Sequence, residues 1–99
     1  MRPIHVAQLD KPRPILVLTP EVARPVLANV TVAPITTRVR SLAVEVSVGV
    51  INGLGEPFVV GCDNVQTIPV NALGRLVGYL FDEEERLLTE AMLAAFDIT

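Results

Sequence analysis

Arg13 stands between Pro12 and Pro14 in the stretch DKPRPILVLTP, at the entrance to an apolar run. Proline fixes its own φ at about −65° and drives the preceding residue toward extended backbone, so Arg13 keeps little freedom and its guanidinium is aimed. A second cluster lies in APITTRVR, where Thr36 and Thr37 precede Arg38 and Arg40. Extended backbone there points the two arginines the same way. Guanidinium groups attract a phosphate and threonine hydroxyls hydrogen-bond it, so this second cluster suits an anionic phosphoryl group. The pair of threonines followed by charges also fits an ordinary solvated hairpin loop.

Charge placement agrees with an anionic partner for one half only. Residues 1–40 hold six basic and two acidic side chains, a net of +4, while the remainder holds two basic against nine acidic, a net of −7. A polyanion therefore approaches the first half, although the whole chain carries −3. With one cysteine and one histidine there is no internal disulfide and no cluster at metal-ligand spacing, so no metal or other cofactor is expected. The longest unbroken aliphatic run is Ile15 to Leu18, far short of the roughly 20 residues of a membrane span, and MRPIHVAQLD lacks the apolar core of a signal peptide. A cytoplasmic, soluble domain with no membrane contact is expected. The hydrophobic share of 51% is more than one small core hides, which points to a dimer.

These side chains need a scaffold. The 99 residues form a single domain, 1–99. Residues 4–9 and 14–19 read as a hairpin around a turn at Asp10 to Arg13, followed by a short helix from Thr19, Pro20 and Glu21 and a third strand over Asn29 to Ala33. Leu42, Val44, Val46 and Val48 alternate with Ala43, Glu45 and Ser47, a fourth strand with one buried face. Beyond the loop INGLGEP, Phe58 to Ile68 reads as one long strand that bends near Gly61, and Leu76 to Leu80 as the last. In DEEE, Asp82 fits an N-cap with Glu85 reaching back, ahead of a helix whose buried stripe is Leu87, Leu88, Ala91, Met92 and Ala95. The expected fold is mainly β: six strands in a small, strongly bent antiparallel barrel with a C-terminal helix. RPIL at 13–16 recurs as RPVL at 24–27, a spacing too short for a repeat architecture.

RPILVLTP, VTVAPITTR, GLGEPFVVGCDNVQTIP and LGRLVGYL follow one another through nearly the whole chain. In that order they resemble the MazF/PemK family of toxin endoribonucleases. The resemblance implies an SH3-like barrel of the CcdB/MazF type and a homodimer. It also implies metal-independent cleavage of single-stranded RNA (messenger, ribosomal or transfer) and neutralisation by a cognate MazE-like antitoxin. Arg13 matches the family's catalytic arginine, Thr36 its catalytic hydroxyl and Asp63 an acid that assists catalysis in some members and touches substrate in others. Two departures stand out: the loop between the first strands shrinks to DKPRP, and Gly61 occupies the place of one branch's second catalytic arginine.

Cleavage without metal can use the RNA 2′-OH as internal nucleophile, given a base for its proton, charge stabilisation at phosphorus and an acid for the 5′ oxygen. Arg13 suits charge stabilisation and is a poor base. Asp10 is the favoured carboxylate base, with Asp63 available; Thr36 would hydrogen-bond a non-bridging phosphate oxygen. Lys11, Thr37, Arg38, Arg40, Asp63, Asn64 and Gln66 are the expected RNA contacts, joined by Thr67 for base reading because aromatic platforms are scarce. Plainer roles compete: Asp10 as a turn residue bonded to backbone or paired with Lys11 or Arg13, Cys62 as a buried apolar residue, and His5 as structural, although it could serve as an acid. The alternative function is a non-catalytic CcdB-like toxin that binds gyrase, or an inactive interaction module. Against it, the chain ends FDIT with no tryptophan anywhere.

Overall fold

The computed structural model describes residues 1–98, and Thr99, the end of the FDIT segment, lies outside the described residues. Strands β1 (Arg2–Gln8) and β2 (Pro12–Val17) form the expected hairpin, with Ala7 opposite Arg13 and Gln8 opposite Pro12. The turn is shorter than anticipated, and both prolines fall inside β2. They are tolerated because β3 (Asn29–Thr36) joins the other side of β2 only from Ile15 onward. Around Arg13 the strand therefore has one neighbour, the setting in which a missing backbone N–H costs least. β3 also runs further than its sequence pattern indicated, so Thr36 closes a strand rather than sitting in a loop.

Between β2 and β3 the helical turn forms later than Pro20: a turn closed by the Ala23 N–H on the Pro20 carbonyl leads into a single 3-10 turn over Arg24–Val26. The remaining strands are β4 (Glu45–Val48), β5 (Phe58–Gly61), β6 (Gln66–Pro69) and β7 (Leu73–Leu80). All pairings are antiparallel, in the order β4-β5-β3-β2-β1-β7 with β6 also on β3. Six strands become seven because the expected long strand over Phe58 to Ile68 is interrupted rather than merely bent. Ile35 faces Val60 but Val32 faces Gln66, so both segments run along one edge of β3 with a register slip of three residues. The excess is thrown out as the 3-10 turn Cys62–Asn64. Pro34 lies on β3 in the gap this leaves, where no strand needs its N–H.

Both faces of the curled sheet are covered, which is why Ile15, Leu16 and Val17 are all fully buried despite being consecutive. Leu16, Ala33, Ile35, Val46, Val60 and Cys62 pack toward Leu88 and Ala91 of helix α1 (Glu85–Ala95), while Ile15, Val17, Val30, Val32 and Ile68 fill the other side. Leu87 is 43% exposed, so the buried stripe of α1 is narrower than its apolar residues suggested. It lies roughly 100° around the helix from Leu88, beyond the reach of the sheet. The helix start also differs by one residue: a 3-10 turn over Asp82–Glu84 precedes α1, and Glu84 rather than Glu85 reaches back, accepting the Phe81 N–H at 2.9 Å. Glu85 is freed to pair with Arg2 of β1, Nη2 to Oε1 at 2.6 Å.

Asn52 joins the same corner. Its side chain accepts the Gly49 N–H and donates to the Tyr79 carbonyl and Glu84, each within 2.9 Å. These bonds satisfy a polar side chain that is 1% exposed. Among the described residues no helix is long and apolar enough to cross a membrane.

Candidate active site

Arg13 is held at the one-sided stretch of β2 with its side chain 46% exposed. Its Nε lies 3.7 Å from Asp10 Oδ1, too long for a hydrogen bond, and the pair is loose and solvated. Asp10 Oδ1 is occupied instead by the Lys11 N–H at 2.9 Å, the local turn bond anticipated as its plainer role, and Oδ2 enters no hydrogen bond among the described residues. Asp10 and Arg13 line a hollow of about 430 Å³ together with Ile15, Pro34, Asn64 and Gln66. An adjoining hollow of about 280 Å³ is lined by Pro34, Thr36, Arg38, Arg40, Gly61 and Asn64. Pro34 and Asn64 belong to both, so one groove runs from Arg13 to Thr36 across the thrown-out turn.

Thr36 Oγ1 accepts the Arg38 N–H at 3.1 Å, which leaves the hydroxyl proton to donate toward the groove. Arg38 and Arg40 do not lie on one extended segment. The Val39 N–H turns back to the Thr37 carbonyl, and Ser41 has φ of 57°, so the two-residue alternation of a strand does not apply. Arg40 is instead clamped between two carboxylates, with Nη1 and Nη2 on Asp63 at 3.0 and 2.9 Å and Nε on Glu45 at 2.9 Å. Among the described residues, Lys11 and Arg38 enter no ion pair. Lys11, Thr37 and Asp63 do not line either hollow; all three stand exposed at its margins.

Glu45 was not singled out from sequence, and its only signal is an acid within the alternating strand. Its side chain is 4% exposed and its oxygens also accept the backbone N–H groups of Arg40 and Leu42 at 3.1 to 3.2 Å. Burial pushes its carboxyl up, but hydrogen bonds from the Arg40 guanidinium and these backbone amides win and hold it below the usual range. Asp63 is held low by the Arg40 hydrogen bonds against a smaller opposing effect of burial, and the two acids raise Arg40 in turn.

The sign of the pH response follows. Carboxylates with folded values below the ordinary range of about 4 stabilise the clamped form fully above that value and lose the contribution as pH falls through the lowered ones. Backbone amide shifts of Arg40 and Leu42 are thus expected to be constant from neutrality to about pH 5 and to move below about pH 4, ahead of core amides. Movement already complete at pH 6 contradicts this.

The sequence profile of the PemK-like, MazF-like toxins of type II toxin-antitoxin systems matches residues 3–96. The chain belongs to this family. A Mycobacterium tuberculosis protein named endoribonuclease MazF3 is 64% identical over 98 residues, covering 99% of this chain and 95% of its own length. The solved Mycobacterium tuberculosis toxin MazF-mt6 superposes with a TM-score of 0.96 at 63% identity, over 99% of each chain. A mycobacterial endoribonuclease solved with its cognate antitoxin has a TM-score of 0.87 at 20% identity, over 98% of this chain and 93% of its own, a likeness of fold.

Two further residues of this MazF-like chain fall outside the groove. His5 Nδ1 donates to the Gly74 carbonyl at 2.9 Å, and the ring lines a separate hollow with Arg24, Leu76 and Tyr79. Cys62 is wholly buried, and burial, with a further contribution from Asp63, pushes its thiol up to about 11, so it stays protonated near neutrality and packs as an apolar group.

Proposed function

We propose that this MazF-like toxin is an endoribonuclease that cuts single-stranded RNA in the groove between Arg13 and Thr36, with the substrate's own 2′-OH as nucleophile and no metal ion. The observation that carries the reading is the convergence on one groove of an arginine set on proline-restricted backbone and a hydroxyl. Asp10 Oδ2 takes the 2′-OH proton as the 2′ oxygen bonds to phosphorus, a role worth about 10²- to 10⁴-fold. Arg13 faces the negative charge that develops on the phosphoryl oxygens, and Thr36 donates its hydroxyl proton to one of them. The bond from phosphorus to the 5′ oxygen breaks as that oxygen takes a proton from solvent water in the open groove, leaving a 2′,3′-cyclic phosphate and a 5′-hydroxyl.

Lys11 and Arg38 attract the flanking phosphates, and Thr37, Asn64, Gln66 and Thr67 offer polar edges to bases. Gly61, where a Cβ would meet nothing closer than 3.6 Å, leaves the Thr36 end of the groove open at the place where one family branch has a second catalytic arginine. The protein works in the cytoplasm as a homodimer that a cognate MazE-like antitoxin neutralises, and exposed Leu87, Leu93 and Phe96 on and just beyond α1 are apolar surface available for such contacts. The test is incubation with long single-stranded RNA in EDTA. Discrete cuts are expected, whereas an intact substrate across several RNA sequences favours a non-catalytic, CcdB-like toxin.

A further inference from the structure

We propose that Glu45 and Asp63 are positioning residues: acting through Arg40, they hold the segment from Thr36 to Leu42 against the groove and leave Arg38 as its phosphate contact. This rests on the ribonuclease reading of the groove. The segment is tied at both ends. Thr36 is fixed by strand pairing with Val59 and by its hydroxyl on the Arg38 N–H. The far end has no strand partner until Glu45, whose carboxylate gathers the N–H groups of Arg40 and Leu42 together with Arg40 Nε. A carboxylate 4% exposed at a position whose parity in β4 is outward is there for those donors rather than for water.

The other end of Arg40 is fastened to Asp63, which the register slip between β5 and β6 throws out of the sheet. Both oxygens of Asp63 accept from the same guanidinium, a fork geometry that fixes two chain segments 23 residues apart. An acid so engaged is poorly placed to take a proton from a 2′-OH, and an arginine shared by two carboxylates has little charge left for a phosphate. Arg40 therefore belongs to the wall of the groove with Asp63 bracing it from outside, while Arg38, next to the catalytic hydroxyl and without an ion pair among the described residues, meets RNA. Loss of the clamp loosens Thr36's hydrogen bond to the Arg38 N–H, and with it the direction of the hydroxyl.

Glu45→Gln and Asp63→Asn, assayed against a labelled RNA oligonucleotide that the wild type cuts, separate these roles. Glu45→Gln is expected to lower kcat by on the order of 10- to 100-fold with a much smaller change in KM, the signature of lost positioning, and to move the Arg40 and Leu42 amide signals. Asp63→Asn releases Arg40 toward the RNA, so binding is expected to steepen in salt by about 0.7 in the log–log slope, and adding Arg40→Gln to restore the original slope. The Asp63 variant keeps the test available if Glu45→Gln does not fold. Wild-type kcat in Glu45→Gln with moved amides overturns the positioning role, as does an Asp63→Asn slope unchanged from wild type. A wild-type protein that cuts no RNA overturns the ribonuclease reading itself, and this role falls with it.

Discussion

Arg13→Ala is expected to lower kcat for RNA cleavage by about 10²- to 10³-fold, the usual loss when one fixed donor to a developing charge is removed. The fold should not notice. Arg13 is nearly half exposed, lies on the stretch of β2 that has a neighbour on one side only, and holds only a loose 3.7 Å pair with Asp10. Arg13→Lys should recover little, because a lysine keeps the charge but not the planar fork of donors that can meet two phosphoryl oxygens at once. Melting temperature and oligomeric state measured beside the rate separate chemistry from folding. A variant with wild-type kcat removes Arg13 from the site.

Gly78→Ala is expected to be the most damaging small change to the fold, costing about 3 kcal/mol or more and lowering the melting temperature by on the order of 10–20 °C. A Cβ on Gly78 would fall 2.0 Å from the Asn52 carbonyl oxygen and 3.0 Å from the Gly53 Cα, both main-chain atoms with no rotamer to yield. Gly53 is the reciprocal half: its φ is +90°, and its own Cβ would meet the Val77 carbonyl oxygen at 2.3 Å. The two glycines let the 49–53 loop lie flat on β7, where Asn52 reaches Tyr79 and Glu84 and ties the loop to the start of the helix. Urea or thermal unfolding reads the loss, and a variant within about 0.5 kcal/mol of the wild type contradicts this close approach.

What could be read from sequence depended on how local its cause was. The proline-flanked Arg13 and the hydroxyl of Thr36 were legible because both belong to contiguous motifs, and the groove does bring them together. The break between β5 and β6 was not, since nothing in GCDNV says that β3 pairs with the segment on either side of it in two different registers. Arg40 carries the same lesson. Its neighbours in sequence make it a basic rim residue, but its partners are Glu45 and an aspartate 23 positions away, so its charge is spent on the protein. Glu45 itself was hidden by a strand pattern that holds only from Glu45 to Val48, with Leu42 exposed ahead of it, because alternation gives the direction of a side chain and not the donors that bury it. At the helix start, Glu84 and Glu85 are chemically identical, and only the 3-10 turn ahead of α1 decides which one caps and which one pairs with Arg2.

The chemistry of the ends left on RNA is the most direct test of the central claim. Wild-type protein in EDTA is given an RNA that it cuts and the same RNA with a single 2′-deoxy nucleotide on the 5′ side of the cut. The account predicts 5′-hydroxyl and 2′,3′-cyclic phosphate ends on the first and no cut at that position on the second. Ends bearing 5′-phosphate and 3′-hydroxyl, or a deoxy substrate cut at the same rate, would contradict it.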